Sequence, residues 1–208
     1  MVVAPFQVRR LLAESRLSPA AFREVLLGLP ARERDRWLDR VFAVGDLPED
    51  GESLPIGCVP YLPAPVDAVL SSLSAAEVGA SDVFVDVGAG LGRVVALAHF
   101  LTGARAIGVE IQPELVRASR ELTERLNATR VSIIEGDAAD TARSIASGTV
   151  FFLYCPFSGQ RLDRLLDDLQ AIARSHPIRI CSLDLPFARP WLARVFCAGG
   201  LTVHRSSC

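Results

Sequence analysis

The chain has 208 residues, half of them hydrophobic and 22% charged, which suits one globular domain with an appended subdomain and a substantial core. A net charge of −2 and a pI near 5.9 supply no basic field, which argues against long nucleic acids as partners. All 22 cationic residues are arginine, so lysine-based Schiff-base or general-base chemistry and a P-loop lysine are excluded.

The opening stretch MVVAPFQVRRLLAES lacks the long apolar core of a secretory signal. No run of roughly eighteen uncharged apolar residues follows, so a cytoplasmic protein without a membrane span is expected. Residues 1–45 read as helical. Ser18 stands as an N-cap before Pro19, the first helical position of SPAAFREVLLGLP. ARERDRWLDRVFAVG then sets Trp37, Val41 and Phe42 on one face, with charges opposite. The acidic, turn-rich DLPEDGESLPIG separates this helical cap, residues 1–58, from a core over 59–208.

Within the core, the prolines of YLPAPVDAVLSSLSAAEVG precede a helix over about 65–77. Strand and helix patterns then alternate. VFVDV precedes a helix over about 91–101, and ARAIGVEI precedes the helix QPELVRASRELTERLN. RVSIIEGD precedes a short helix near 138–146. TVFFLYCPF precedes the helix GQRLDRLLDDLQAIARS, and IRICSLDLP follows as a fifth strand. Near-continuous apolar strands in such an alternation predict a parallel sheet covered on both faces. The closing WLARVFCAGGLTVHRSSC has two β-prone runs around Ala198-Gly199-Gly200 and predicts an antiparallel hairpin. The expected fold is α/β: a doubly wound, mostly parallel, seven-stranded Rossmann-like sheet with a C-terminal hairpin and an N-terminal helical cap. Cysteines 58, 155, 181, 197 and 208 form no C-x-x-C pair, so free thiols and no metal site are expected.

In an open parallel sheet, ligands bind outside the carboxyl ends of the strands. The first strand delivers Asp86, Gly88, Gly90 and Gly92 there, the second Glu110 and Ile111, and the third Gly136, Asp137 and Ala138. The fourth delivers Tyr154, Cys155, Pro156 and Phe157, and the fifth Asp184. Four acidic residues thus arrive at one edge, each where an apolar strand ends. The glycines run Gly88-x-Gly90-x-Gly92, and Arg93 stands where a dinucleotide fingerprint has its third glycine. Asp86, two residues ahead of the loop, repels a pyrophosphate and suits a ligand with an ammonium group. Both features disfavour a nicotinamide oxidoreductase. Glu110 is placed to accept from a ribose diol, and Asp137 with the Ala138 backbone to read an adenine edge.

VDVGAGLG, GVEI, EGDA and FFLYCPF, in this order and at these intervals, resemble the successive motifs of class I S-adenosylmethionine-dependent methyltransferases over roughly residues 59–205. The resemblance implies that Asp86 and the loop of Gly88, Ala89, Gly90 and Gly92 hold the methionine part of S-adenosylmethionine. It implies further that Glu110 binds the ribose, Ile111 packs on the adenine, and Asp137 with Ala138 reads its edge. Tyr61, in PYLPAP, resembles a tyrosine that some members place over the cofactor. Arg93 reads as a structural partner for a carboxylate.

The acceptor is less sharply marked. Methyltransferases acting on nucleobases or amides resemble one another in an Asn/Asp-Pro-Pro-Tyr/Phe motif where this chain has Tyr154-Cys155-Pro156-Phe157. A thiol cannot accept two good hydrogen bonds, so a planar nitrogen acceptor is disfavoured. His99, His176 and His204 all fall away from the carboxyl edge. The candidates for proton acceptance are therefore Asp184 and the phenols of Tyr154 and Tyr61. Neutral charge and a short cap favour a small-molecule acceptor. The Tyr-x-Pro element and GVEI also resemble non-SET histone-lysine methyltransferases, so a protein substrate is the alternative, and an inactive S-adenosylmethionine-binding module is a third.

Overall fold

The computed structural model describes residues 4–45, 54, 58–138 and 140–207. Most of the DLPEDGESLPIG linker and Cys208 lie outside them. Three helices come first: α1 (Pro5–Ala13), α2 (Pro19–Leu27) and α3 (Ala31–Phe42). Next come α4 (Val66–Ala75), β1 (Val83–Val87), α5 (Arg93–Thr102), β2 (Arg105–Glu110), α6 (Pro113–Arg125) and β3 (Val131–Glu135). β4 (Val150–Tyr154), α7 (Gln160–Ala173) and β5 (Arg179–Leu183) follow, then the hairpin of β6 (Leu192–Ala198) and β7 (Leu201–Ser206).

The strands form one sheet in the order β3-β2-β1-β4-β5-β7-β6. β1 to β5 run parallel, and β7 lies antiparallel to both β5 and β6. This is the mostly parallel, seven-stranded sheet with a terminal hairpin that the alternation predicts. Burial explains why the strands read as continuous apolar runs. Phe84, Val150, Phe152 and Cys181 face a core shared with α1 to α5, while Val85, Val87, Phe151, Leu153 and Ile180 face α7. Both faces are covered, as a parallel sheet requires.

The N-terminal helices belong to the first of these layers. Ser18 Oγ accepts from Ala21 N–H at 3.2 Å and starts α2, with Pro19 behind it. Trp37, Leu38, Val41 and Phe42 bury one face of α3. Each such side chain contributes about 1.5–3 kcal/mol of burial, so α3 is held by packing despite its charged sequence. Where a short helix is predicted near 138–146, the chain makes a single 3-10 turn, Ala142–Ile145. Gly148 ends it by donating its N–H to the Ile145 carbonyl at 2.8 Å, which leaves room for one turn between β3 and β4.

β1 and β4 are neighbours although β2 and β3 extend away on the far side of β1. The connection order reverses there, so a crevice opens between the carboxyl ends of β1 and β4.

Candidate active site

A cleft lies at that crevice. Gly88 after β1, Glu110 at the end of β2 and Ile111 after it, Asp137 and Ala138 after β3, and Tyr154 at the end of β4 all line it. Tyr61 lines it from the strap that precedes α4. An adjoining narrow recess is lined by Asp86, Ala89 and Arg93, and Tyr61 and Tyr154 border both spaces. Asp184 is not among the lining residues. It is exposed at the end of β5, with its carboxylate against the backbone of Gly200 in the β6–β7 turn.

The loop after β1 holds Gly88, Gly90 and Gly92 at φ of 81°, 52° and 73°. At Gly90 the need for glycine is doubled, because an added Cβ would run into the Tyr61 ring. Glu110 fixes this loop from the neighbouring strand. Its buried carboxylate accepts the Gly90 N–H at 2.8 Å on Oε2, and those of Ile111 and Gln112 at 2.9 Å each on Oε1. The sequence marks Glu110 as a ligand residue, but its service to the loop depends on the β1–β2 register and carries no local signal.

Electrostatics at the back of the site are unusual. Asp86 is 3% exposed, and burial, with the nearby Glu110 charge, pushes its carboxyl well above the usual carboxylate range. The Tyr61 phenol is pushed up to about 12, chiefly by burial; Arg93 pulls it down, and Asp39, Asp86 and Glu110 push it further up. Asp137 pairs with Arg161, in the first turn of α7, through Nη1 at 2.5 Å. Nothing in the sequence pattern singled out Arg161, which reads as a surface position of an amphipathic helix. Gln112, Cys58 and Leu62 also line the cleft and were likewise unmarked.

Arg93 does meet carboxylates, as its sequence reading anticipates. Its guanidinium donates to Asp39 at 2.7 Å and to Asp35 at 2.8 Å. The three histidines lie elsewhere: His99 bonds the Ala104 carbonyl, His176 the Gly148 carbonyl, and His204 stacks on Phe187.

A protein-family model of protein-L-isoaspartate(D-aspartate) O-methyltransferase matches residues 21–146, more than half of the chain. The chain belongs to this family. Over 97 residues it is 34% identical to a protein-lysine N-methyltransferase of Saccharolobus islandicus (strain REY15A), a stretch covering 46% of this chain and 60% of that protein. The match therefore spans less than two thirds of that relative. The crystal structure of an RNA methyltransferase from Salinibacter ruber, in complex with S-adenosyl-L-homocysteine, is 30% identical at a TM-score of 0.56. That similarity covers 70% of this chain and 92% of the other. Family and fold together identify a class I methyltransferase.

In this methyltransferase the corner next to the cleft is built by β4 and β5. Cys155 and Asp184 both have left-handed backbones, with φ of 42° and 50°. Such conformations are costly for residues with a Cβ and mark a locally over-determined site. The Cys155 thiol donates to the Asp184 carbonyl at 3.1 Å. Burial, and then Asp184, push that thiol up, so it stays protonated at neutral pH. Gly90→Ala is expected to displace Tyr61 and to cost about 1–2 kcal/mol from the left-handed backbone alone. Chemical denaturation measures the loss.

Proposed function

We propose that this chain transfers a methyl group from S-adenosylmethionine to the side-chain amine of lysine in a protein. The residues present fit that cofactor. Asp86 is a desolvated carboxylate in the recess that adjoins the cleft and suits an ammonium group. Gly90 leaves its backbone bare where a Cβ would obstruct. A carboxylate has about four lone-pair sites. Three backbone donors occupy the Glu110 carboxylate, which leaves it capacity for a ribose hydroxyl. Ile111 and Ala138 supply apolar contact for the adenine, and Asp137, held by Arg161, accepts from its amino group.

Bound there, S-adenosylmethionine supplies a methyl group on a sulfonium that leaves as a neutral thioether when an amine lone pair attacks in line. The chain's own residues then orient the reactants, exclude water and set the field. Burial, Asp184 and Cys155 raise the Tyr154 phenol, so at neutral pH it acts as a hydrogen-bonding group. Proton acceptance at this corner falls to Asp184, the exposed carboxylate beside it. The amine's proton passes from there to solvent. The strap before α4, with Tyr61, forms the acceptor side of a catalytic core over residues 59–208.

One observation carries the choice of acceptor: the transfer end is acidic. Asp184 lies within electrostatic reach of Tyr154 just outside the cleft, while the nearby cations Arg93 and Arg161 are paired with carboxylates. A carboxylate acceptor such as isoaspartate would be repelled there, and a lysine ammonium attracted. The likeness to a protein-lysine methyltransferase supports the same reading. Together they outweigh the small-metabolite preference drawn from net charge and cap length.

The test is to incubate the purified protein with labelled S-adenosylmethionine and a lysate depleted of endogenous methyltransferase activity. Label in protein bands, with methyllysine found by peptide mass spectrometry, is the expected result. Base-labile methyl esters would point to a carboxylate acceptor, and label confined to the small-molecule fraction to a metabolite. Either would overturn the lysine assignment. Absence of label everywhere, with cofactor bound, would favour an inactive binding module.

A further inference from the structure

We infer that Arg93 is a positioning residue that acts on cofactor binding through Tyr61; this rests on the cofactor site proposed above. Arg93 is the first residue of α5, immediately after the glycine loop, and its side chain is only 4% exposed. Its guanidinium reaches two separate segments. Nε donates to Asp39 and Nη2 to Asp35, one turn apart on α3, while Nη1 donates to the Ala64 carbonyl at 2.7 Å. Asp35 Oδ1 also accepts the Val66 N–H at 3.0 Å and so fixes the start of α4.

The strap carrying Tyr61 is therefore anchored at both ends. Cys58 forms an isolated β-bridge with Phe157, in the loop after β4, and Ala64 is held by Arg93. Tyr61 sits midway, its ring against Gly90 and its phenol within the field of Arg93, Asp39 and Asp86. A glycine at position 93 would leave the Ala64 end untied and both α3 carboxylates without this partner. Arginine at that position thus fixes the cover of the cleft to the loop that forms its floor. Lysine would keep the charge but lose the three-pronged reach.

The test separates this role from general stability. Tyr61 and Tyr154 are the two tyrosines of the chain, so in a Tyr154→Phe background nitration by tetranitromethane reports Tyr61 alone. Compared at equal phenolate fraction, because Arg93 itself lowers the Tyr61 phenol, Arg93→Met is expected to raise that nitration rate about tenfold through local opening of the strap. With Tyr61 present, Arg93→Met should weaken S-adenosylhomocysteine binding about tenfold, and with Tyr61→Ala already in place by less than about twofold, because coupled residues are non-additive. Circular dichroism and Tm confirm folding. If Arg93→Met does not fold, Arg93→Lys takes its place in both measurements, with the same direction. An unchanged nitration rate, or equal weakening in both backgrounds, would overturn the inference. If the wild-type protein takes up no S-adenosylhomocysteine, the cofactor assignment fails and the effect on binding falls with it, while nitration still decides whether Arg93 holds Tyr61 in place.

Discussion

Asp86→Asn is expected to make the ligand-free protein more stable at neutral pH while weakening S-adenosylhomocysteine by about 10- to 100-fold, the worth of a hydrogen bond to a charged group. The physical cause is the cost of burying a carboxylate that has no cationic ligand. In the ligand-free protein burial holds Asp86 well above its ordinary 3.8, so its contribution to stability is fully present below that value and is lost as pH rises through the raised one. An asparagine does not ionise. The difference in Tm between variant and wild type should therefore be small in acid and grow as pH rises. Ligand affinity should show the complementary trend: in the wild type it climbs with pH as Asp86 ionises, and in the variant this rise is absent. Thermal denaturation across pH, with and without ligand, reads both trends. A variant less stable than wild type throughout would show that Asp86 has a structural partner and no ligand role.

Glu110→Ala is expected to act on both stability and binding. Three backbone N–H groups would lose their acceptor, including that of Gly90, and unsatisfied donors cost about 1–3 kcal/mol. The glycine loop would then lose its tie to β2. Binding of S-adenosylhomocysteine should fall by about 100-fold or more, since a displaced loop misplaces the ligand as well as removing one acceptor. Urea denaturation and calorimetry on the same preparation check the two effects. Destabilisation with intact affinity would confine Glu110 to a purely structural role.

The sheet is legible in the sequence because its causes are local. Strands buried on both faces read as apolar runs, the hairpin is marked by Gly199-Gly200, and α3 announces its buried face by the spacing of Trp37, Val41 and Phe42. The convergence of Gly88, Glu110, Asp137 and Tyr154 follows from topology alone, once the strands are parallel and their carboxyl ends share an edge. Partnerships across the chain are not legible in this way. Arg93 and Asp39 lie 54 residues apart, and Arg161 and Asp137 lie 24 apart on elements whose approach only the fold decides. Asp184 shows the limit from the other side: strand order puts it at the right edge, yet its carboxylate lies against Gly200 of the β6–β7 turn, beside the cleft and not among its lining. The proposed acceptor rests on local charge beside the cleft, which a net charge of −2 averages away.

The most direct test of this account is a calorimetric titration of the wild-type protein with S-adenosylhomocysteine, with NAD as the control dinucleotide. Micromolar binding of S-adenosylhomocysteine with none of NAD is the predicted result, since Asp86 favours an ammonium and repels a pyrophosphate. No binding of S-adenosylhomocysteine at millimolar concentration, or preference for NAD, would contradict the assignment of the cleft as a methyl-donor site.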